Sequence, residues 1–121
     1  MPKYVDGYVL PIAKKKIAAY QRLAAKAGKI WREHGALQYW ECVSEDLRAA
    51  GMTPFPKAVK AKKGEVVVFA FVVFKSRAHR DKVNAAVMND PRFAAMFPDP
   101  KDMSFDCKKM LYGGFKTIVE A

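Results

Sequence analysis

The segment Glu65–Phe74, EVVVFAFVVF, limits the possible folds of this chain more than any other. Its β-branched and aromatic residues make it a strand, and a strand alternates its side chains between two faces. Val66, Val68, Ala70, Val72 and Phe74 point one way; Val67, Phe69, Phe71 and Val73 point the other. Both faces are apolar. Fully burying one valine or phenylalanine is worth roughly 1.5–3 kcal/mol. Leaving a whole face in water would forfeit a sum comparable to the net stability of a domain, about 5–15 kcal/mol. Each face therefore needs a cover.

The flanking sequence supplies helices for one of them. Tyr4–Leu10 (YVDGYVL) reads as a first strand closed by Pro11. From Lys14 to His34 the period is helical, with Ile17, Tyr20, Ala24, Ala27, Trp31 and His34 on one stripe and Leu23 and Ile30 widening it. Gly35 is placed to end that helix in a left-handed turn, since it has no Cβ to clash there. Ala36–Val43 reads as a second strand. Residues 44–63 form a long connection with an edge segment at Pro56–Lys60, and connections of this length often serve function. Ser76 is a suitable cap for a second helix running to Asn89 and stopped by Asp90-Pro91. Pro91–Asp106 reads as a turn of helix and then loop. Lys109–Val119 is the last strand, where Gly113-Gly114 marks a bulge or a close backbone approach.

The order strand, helix, strand, strand, helix, strand, with right-handed crossovers, predicts a ferredoxin-like α+β sandwich over residues 1–121. Two helices cover one face of a four-stranded antiparallel sheet. The other face calls for a partner, and a second copy is the expected one because closed two-fold dimers are the commonest assemblies. The competing reading is a monomer in which residues 44–63 fold back over the sheet.

Composition narrows the function classes. Lysine and arginine exceed aspartate and glutamate by 22 to 12, a formal charge of +10, and a hydrophobic fraction of 51% excludes disorder. The longest apolar run, Val66–Phe74, falls far short of the ~20 residues of a membrane helix. The amino terminus shows no charged region followed by an apolar one, so no secretory signal is expected. Cys42 and Cys107 are too few for a disulfide scaffold, and neither Cys-x-x-Cys nor His-x-x-x-His spacing occurs. A cytoplasmic protein with no metal and no cofactor is expected. No phosphate loop, dinucleotide fingerprint or nucleophile elbow is present.

Three residues stand out as catalytic candidates: His79, Asp6 and Tyr112. His79 falls in the first turn of the second helix, on the face shared with Val83, Ala86 and Asp90. The unpaired N–H groups there, with Arg77 and Arg80 nearby, disfavour a second positive charge. A neutral imidazole is expected, either packed structurally or aimed at a ligand as a base. His34, before a helix-ending glycine, reads as a partner of the helix C-terminus. Asp6 lies mid-strand between Tyr4 and Tyr8, where a carboxylate must be paired. It either bonds a tyrosine or lysine, or lines a polar pocket with Tyr112 or Glu41.

Between Lys14 and His34, seven basic residues face Glu33 alone, and Lys15, Arg22, Lys26, Lys29 and Arg32 fall on the arc opposite the apolar stripe. Such a stripe could touch a polyanion. Yet Glu65 and Val67 stand where RNA-reading strands of this topology carry stacking aromatics. Any nucleic-acid binding is therefore expected to be weak, non-specific and steeply salt-dependent.

Four runs, Tyr4–Pro11 (YVDGYVLP), Trp31–Leu37 (WREHGAL), Ser76–Asp81 (SRAHRD) and Met110–Phe115 (MLYGGF), resemble the YbaA-like family of the dimeric α/β barrel superfamily. The resemblance spans nearly the whole chain. It implies a ferredoxin-like protomer that pairs sheet to sheet with a second copy, and it delivers no activity and no catalytic residues. The functional expectation is a small molecule bound or transformed between helices and sheet, for which superfamily analogy suggests an oxygenase or isomerase. The alternative is a nucleic-acid-associated module using the basic first helix.

Overall fold

A computed structural model describes residues 2–48, 50–97 and 105–121. Strand β1 (Tyr4–Ala13) leads through a 3-10 turn at Lys14–Lys16 into helix α1 (Ile17–Glu33). Strand β2 (Gln38–Val43), the short helix α2 (Phe55–Ala58) and strand β3 (Glu65–Phe74) follow. Helices α3 (Arg77–Met88) and α4 (Pro91–Ala95), a 3-10 turn at Cys107–Lys109 and strand β4 (Leu111–Lys116) complete the chain. The strands form one sheet in the order β2-β3-β1-β4, with every pairing antiparallel. This is the ferredoxin-like α+β arrangement that the element order predicts.

The register fixes the faces. Val68, Ala70, Val72 and Phe74 of β3 are buried beneath the helices, together with Leu10 and Ile12 of β1. Helix α1 contributes Tyr20, Ala24, Ala27, Ile30 and Trp31 to this core, and α3 contributes Val83 and Val87. On the opposite face Phe69 is 44% exposed, Trp40 53% and Phe115 62%.

Several local expectations need correction. β1 continues through Pro11 to Ala13. Its pairing with β4 ends at Val9↔Leu111, so at Pro11 only β3 remains alongside, and a missing N–H on the outer side removes no ladder bond. The edge segment expected at Pro56–Lys60 is instead the helical turn α2, with Pro54 at its N-cap and Pro56 in its first turn, where a missing N–H costs nothing. Gly113 and Gly114 make no bulge, because the β1–β4 register runs through them unbroken. A β-carbon on Gly114 would collide with the Tyr4 hydroxyl and come within 3.0 Å of Arg80 Nη2, so close approach explains that glycine. The loop expected before Asp106 falls largely on residues 98–104, outside the described residues.

The caps behave as read. Ser76 Oγ accepts from the His79 backbone N–H at 3.1 Å, and Gly35 takes φ +117° just beyond α1.

Candidate functional site

Between the helices and the sheet lies a cavity of about 590 Å³, within the usual range for small-molecule sites. Its floor is the helix-facing side of the sheet: Tyr8 and Leu10 of β1, Ala70 and Val72 of β3, Tyr39 and Glu41 of β2, and Tyr112 of β4. Helix α1 supplies Tyr20, Leu23, Ala24, Ala27 and Trp31, while Asn84, Phe93 and Phe105 close the other side. Strand alternation makes this possible. Tyr39 and Glu41 pair with Val72 and Ala70, so both side chains rise toward the helices rather than toward the open face.

Three polar clusters organise the walls. The Glu41 carboxylate accepts a hydrogen bond from the Tyr39 hydroxyl at 2.5 Å and a second from the Tyr20 hydroxyl. Burial, and then the Glu41 charge, push both phenols far above their ordinary range, so they stay protonated and act as donors. Tyr8 and Tyr112, directly opposed on β1 and β4, bring their rings to 4.9 Å between centroids. Both of these phenols are also shifted upward, first by burial and then by the charge of Asp6.

The third cluster lies behind the wall. Asp6 is fully buried; its Oδ2 accepts from the Asn84 amide at 3.1 Å. Its Oδ1 faces Arg80 Nε at 3.7 Å and accepts no hydrogen bond among the described residues. Asn84 turns its carbonyl oxygen to the Trp31 indole N–H, 3.0 Å away. Arg80 donates to the hydroxyls of Tyr4 (3.2 Å) and Tyr112 (3.3 Å), and its guanidinium lies 4.8 Å above the Tyr4 ring. Asp6 thus fixes Asn84, which in turn fixes the indole forming part of the cavity wall.

The structure brings together two of the three candidates. Asp6 and Tyr112 share the helix side of the sheet, joined through Arg80, with Asp6 positioning the wall and Tyr112 lining the cavity. The partners of Asp6 differ from the tyrosine or lysine that its sequence neighbourhood suggested, because α3 lays Arg80 and Asn84 directly over β1. His79 lies apart, beyond the end of β3. Its ring meets Phe74 edge-on, Nδ1 accepts from the Lys75 backbone N–H at 3.0 Å, and a β-carbon on Gly35 would come within 3.3 Å of Nε2. That bond places the imidazole proton on Nε2. Burial, then Lys75 and Lys82, hold the imidazole below its ordinary value; Arg80 is turned away toward Asp6 and Tyr4. An NMR titration of His79 should therefore give a midpoint below the reference of about 6.5. A midpoint above it would overturn this electrostatic account.

His34 pairs with a carboxylate rather than with the helix end alone: its Nε2 lies 2.8 Å from Asp90 Oδ2. Arg92 and His34 together hold the Asp90 carboxyl well below the usual range. Lys15 in the 3-10 turn and Arg22, Lys26, Lys29 and Arg32 along α1 are all exposed. Arg32 is tied back by donating to the Ala36 and Leu37 carbonyls. Among the described residues no group of three or more metal-ligating side chains occurs, and no helix is long and apolar enough to cross a membrane.

The model of a family described as "Protein of unknown function (DUF1428)" matches residues 3–107. The uncharacterized protein YbaA of Escherichia coli K12 is 41% identical over 118 residues, covering 98% of each chain. The chain belongs to this family. The YbaA protein of Shigella flexneri shows the same identity and coverage. Among solved structures, a dimeric ferredoxin-like protein from an uncultured marine organism aligns over the whole of both chains with TM-score 0.58 and 13% identity. A NIPSNAP family protein of unknown function from Agrobacterium tumefaciens aligns with TM-score 0.59 and 18% identity, covering 96% of this chain and 88% of that one. At these identities the two structures support the fold alone.

Sequence reasoning named Glu41 only in passing and missed Asn84. The signal for Glu41 was available: a carboxylate two residues from Tyr39 in a strand is on the same face, and Tyr20 belongs to the buried helix stripe.

Proposed function

We propose that this protein is a homodimer that binds a small organic molecule in the cavity between its helices and its sheet. The cavity carries the reading: about 590 Å³ of mostly apolar space with Glu41, Tyr8, Tyr112 and Asn84 converging on it. Preformed apolar pockets with a few directed polar groups are the usual form of ligand sites. Any chemistry there would use Tyr112 as a protonated phenol, oriented by Arg80 and backed by Asp6. His79, neutral but outside the cavity walls, would act only through the Gly35 turn that it packs against.

The dimer reading rests on the open sheet face. Helix α2 sets Phe55 edge-on against Phe69 and buries Val59, but its cover stops there. Trp40 stacks on Phe71 at 6.3 Å and both lie beyond it, as does Phe115. A second sheet would complete the burial, and one structural neighbour is described as a dimeric ferredoxin-like protein. The exposed basic residues of α1 support the second reading, a weak and non-specific contact with nucleic acid. A cytoplasmic setting fits the two free, exposed thiols of Cys42 and Cys107.

Isothermal calorimetry with benzyl alcohol, a small neutral aromatic, tests the cavity. Saturable binding is expected, and Ala27→Phe, which fills the space from α1, should abolish it while the protein stays folded. No binding to the native protein would overturn the reading.

A further inference from the structure

The cavity walls differ in charge from the rest of the molecule. The chain carries 22 lysines and arginines, yet none of them lines the cavity among the described residues. Glu41 is the one charged side chain that does. It takes part in no ion pair among those residues, and its hydrogen bonds come from the neutral hydroxyls of Tyr20 and Tyr39. Asp6, behind the wall, is by contrast matched by Arg80. Lys29 and Arg32 line a second groove of about 500 Å³ on the outer side, between α1 and β2, which shares Tyr20, Ala24, Tyr39 and Glu41 with the cavity.

Around Glu41 stand aromatic rings that also favour positive charge. Trp31 and Tyr39 lie 5.8 Å apart in a tilted pair, and Tyr8 and Tyr112 form another across the floor. Ring faces carry negative potential and attract ammonium groups, more strongly when water is excluded. An anion entering this space would lose its hydration, meet no cation among the described lining residues and be repelled by Glu41. A cation would find both a counter-charge and aromatic faces.

We propose, building on the cavity reading above, that the ligand is an organic cation: an amine or quaternary ammonium group on a small apolar body. The ammonium group sits against Glu41 between Trp31, Tyr39 and Tyr8, and the apolar body lies toward Leu10 and Ala27. Lys29 and Arg32, which line the outer groove, form no ion pair with the Glu41 carboxylate among the described residues. The hydroxyls of Tyr20 and Tyr39 fix the carboxylate while leaving it lone pairs for the ligand.

Calorimetry with three probes of one shape tests this: benzyltrimethylammonium, benzyl alcohol and phenylacetate. The native protein should bind the cation about tenfold or more tighter than the alcohol, on the scale of a desolvated cation–π or ionic contact, and phenylacetate weakest. Glu41→Gln should remove most of that preference and leave benzyl alcohol binding nearly unchanged. If benzyl alcohol binds but the cation binds no tighter, or if phenylacetate binds best, the cation proposal fails and the cavity reading stands. If none of the three binds, both fall. The comparison among probes on the native protein decides the matter even if Glu41→Gln is unstable.

Discussion

Replacing Arg80 with methionine should lower the unfolding free energy by about 3–5 kcal/mol, the usual cost of removing one partner of a buried ion pair. Asp6 has no exposed surface, and Arg80 is the only cation paired with it among the described residues. Without the guanidinium, the carboxylate keeps only the Asn84 amide among the described residues. Methionine preserves part of the packing over the Tyr4 ring, so the loss reports mainly on charge. Asp6→Asn should cost less, because Arg80 retains Tyr4, Tyr112 and Asp81 as partners. The double change Asp6→Leu with Arg80→Met should recover part of the loss, as buried pairs replaced together often do. Urea denaturation measures all three. An Arg80→Met cost under about 1 kcal/mol, the scale of an exposed pair, would show that Asp6 does not depend on this arginine.

The second large effect concerns assembly. Phe69→Asp places a charge in the middle of the open sheet face, beside Phe71 and Phe55. If two copies pair through that face, burying more than ~1,200 Å² in total, the substitution should convert a dimer into a monomer or prevent folding. Light scattering at micromolar concentration reads the outcome directly. A native protein that already runs at the mass of one chain would sink the dimer reading. Phe115→Asp, on the far strand of the same face, provides an independent variant where Phe69→Asp fails to fold.

The fold was largely legible because its strongest signals are local and periodic. The doubly apolar β3, the α1 stripe ending at Gly35 and the Ser76 cap each follow from a handful of adjacent residues. The cavity was less legible because it depends on register between distant strands. Tyr112 faces Tyr8 only because β4 pairs with β1 at that offset, and a one-residue slip would turn it to the other face. Asn84 gave no sign, since a single amide on a helix becomes informative only once Asp6 and Trp31 lie on either side of it. His79 was open to two readings, packed structurally or aimed at a ligand, and its place in the fold accounts for the packing seen. It belongs to the first turn of α3, which begins three residues past the end of β3, so its ring meets the rim of the sheet and not the cavity.

The two tryptophans stand on opposite sides of one sheet. Trp31 is 8% exposed and forms part of the cavity wall, whereas Trp40 is 53% exposed on the open face. The molecule therefore carries two optical reporters in separate environments. A ligand entering between helices and sheet would change the emission of the first, and a second subunit settling on the open face would shift that of the second toward the blue. With Trp40 replaced by phenylalanine, the remaining indole follows occupancy alone, so binding and association become separable in one cuvette without any added label.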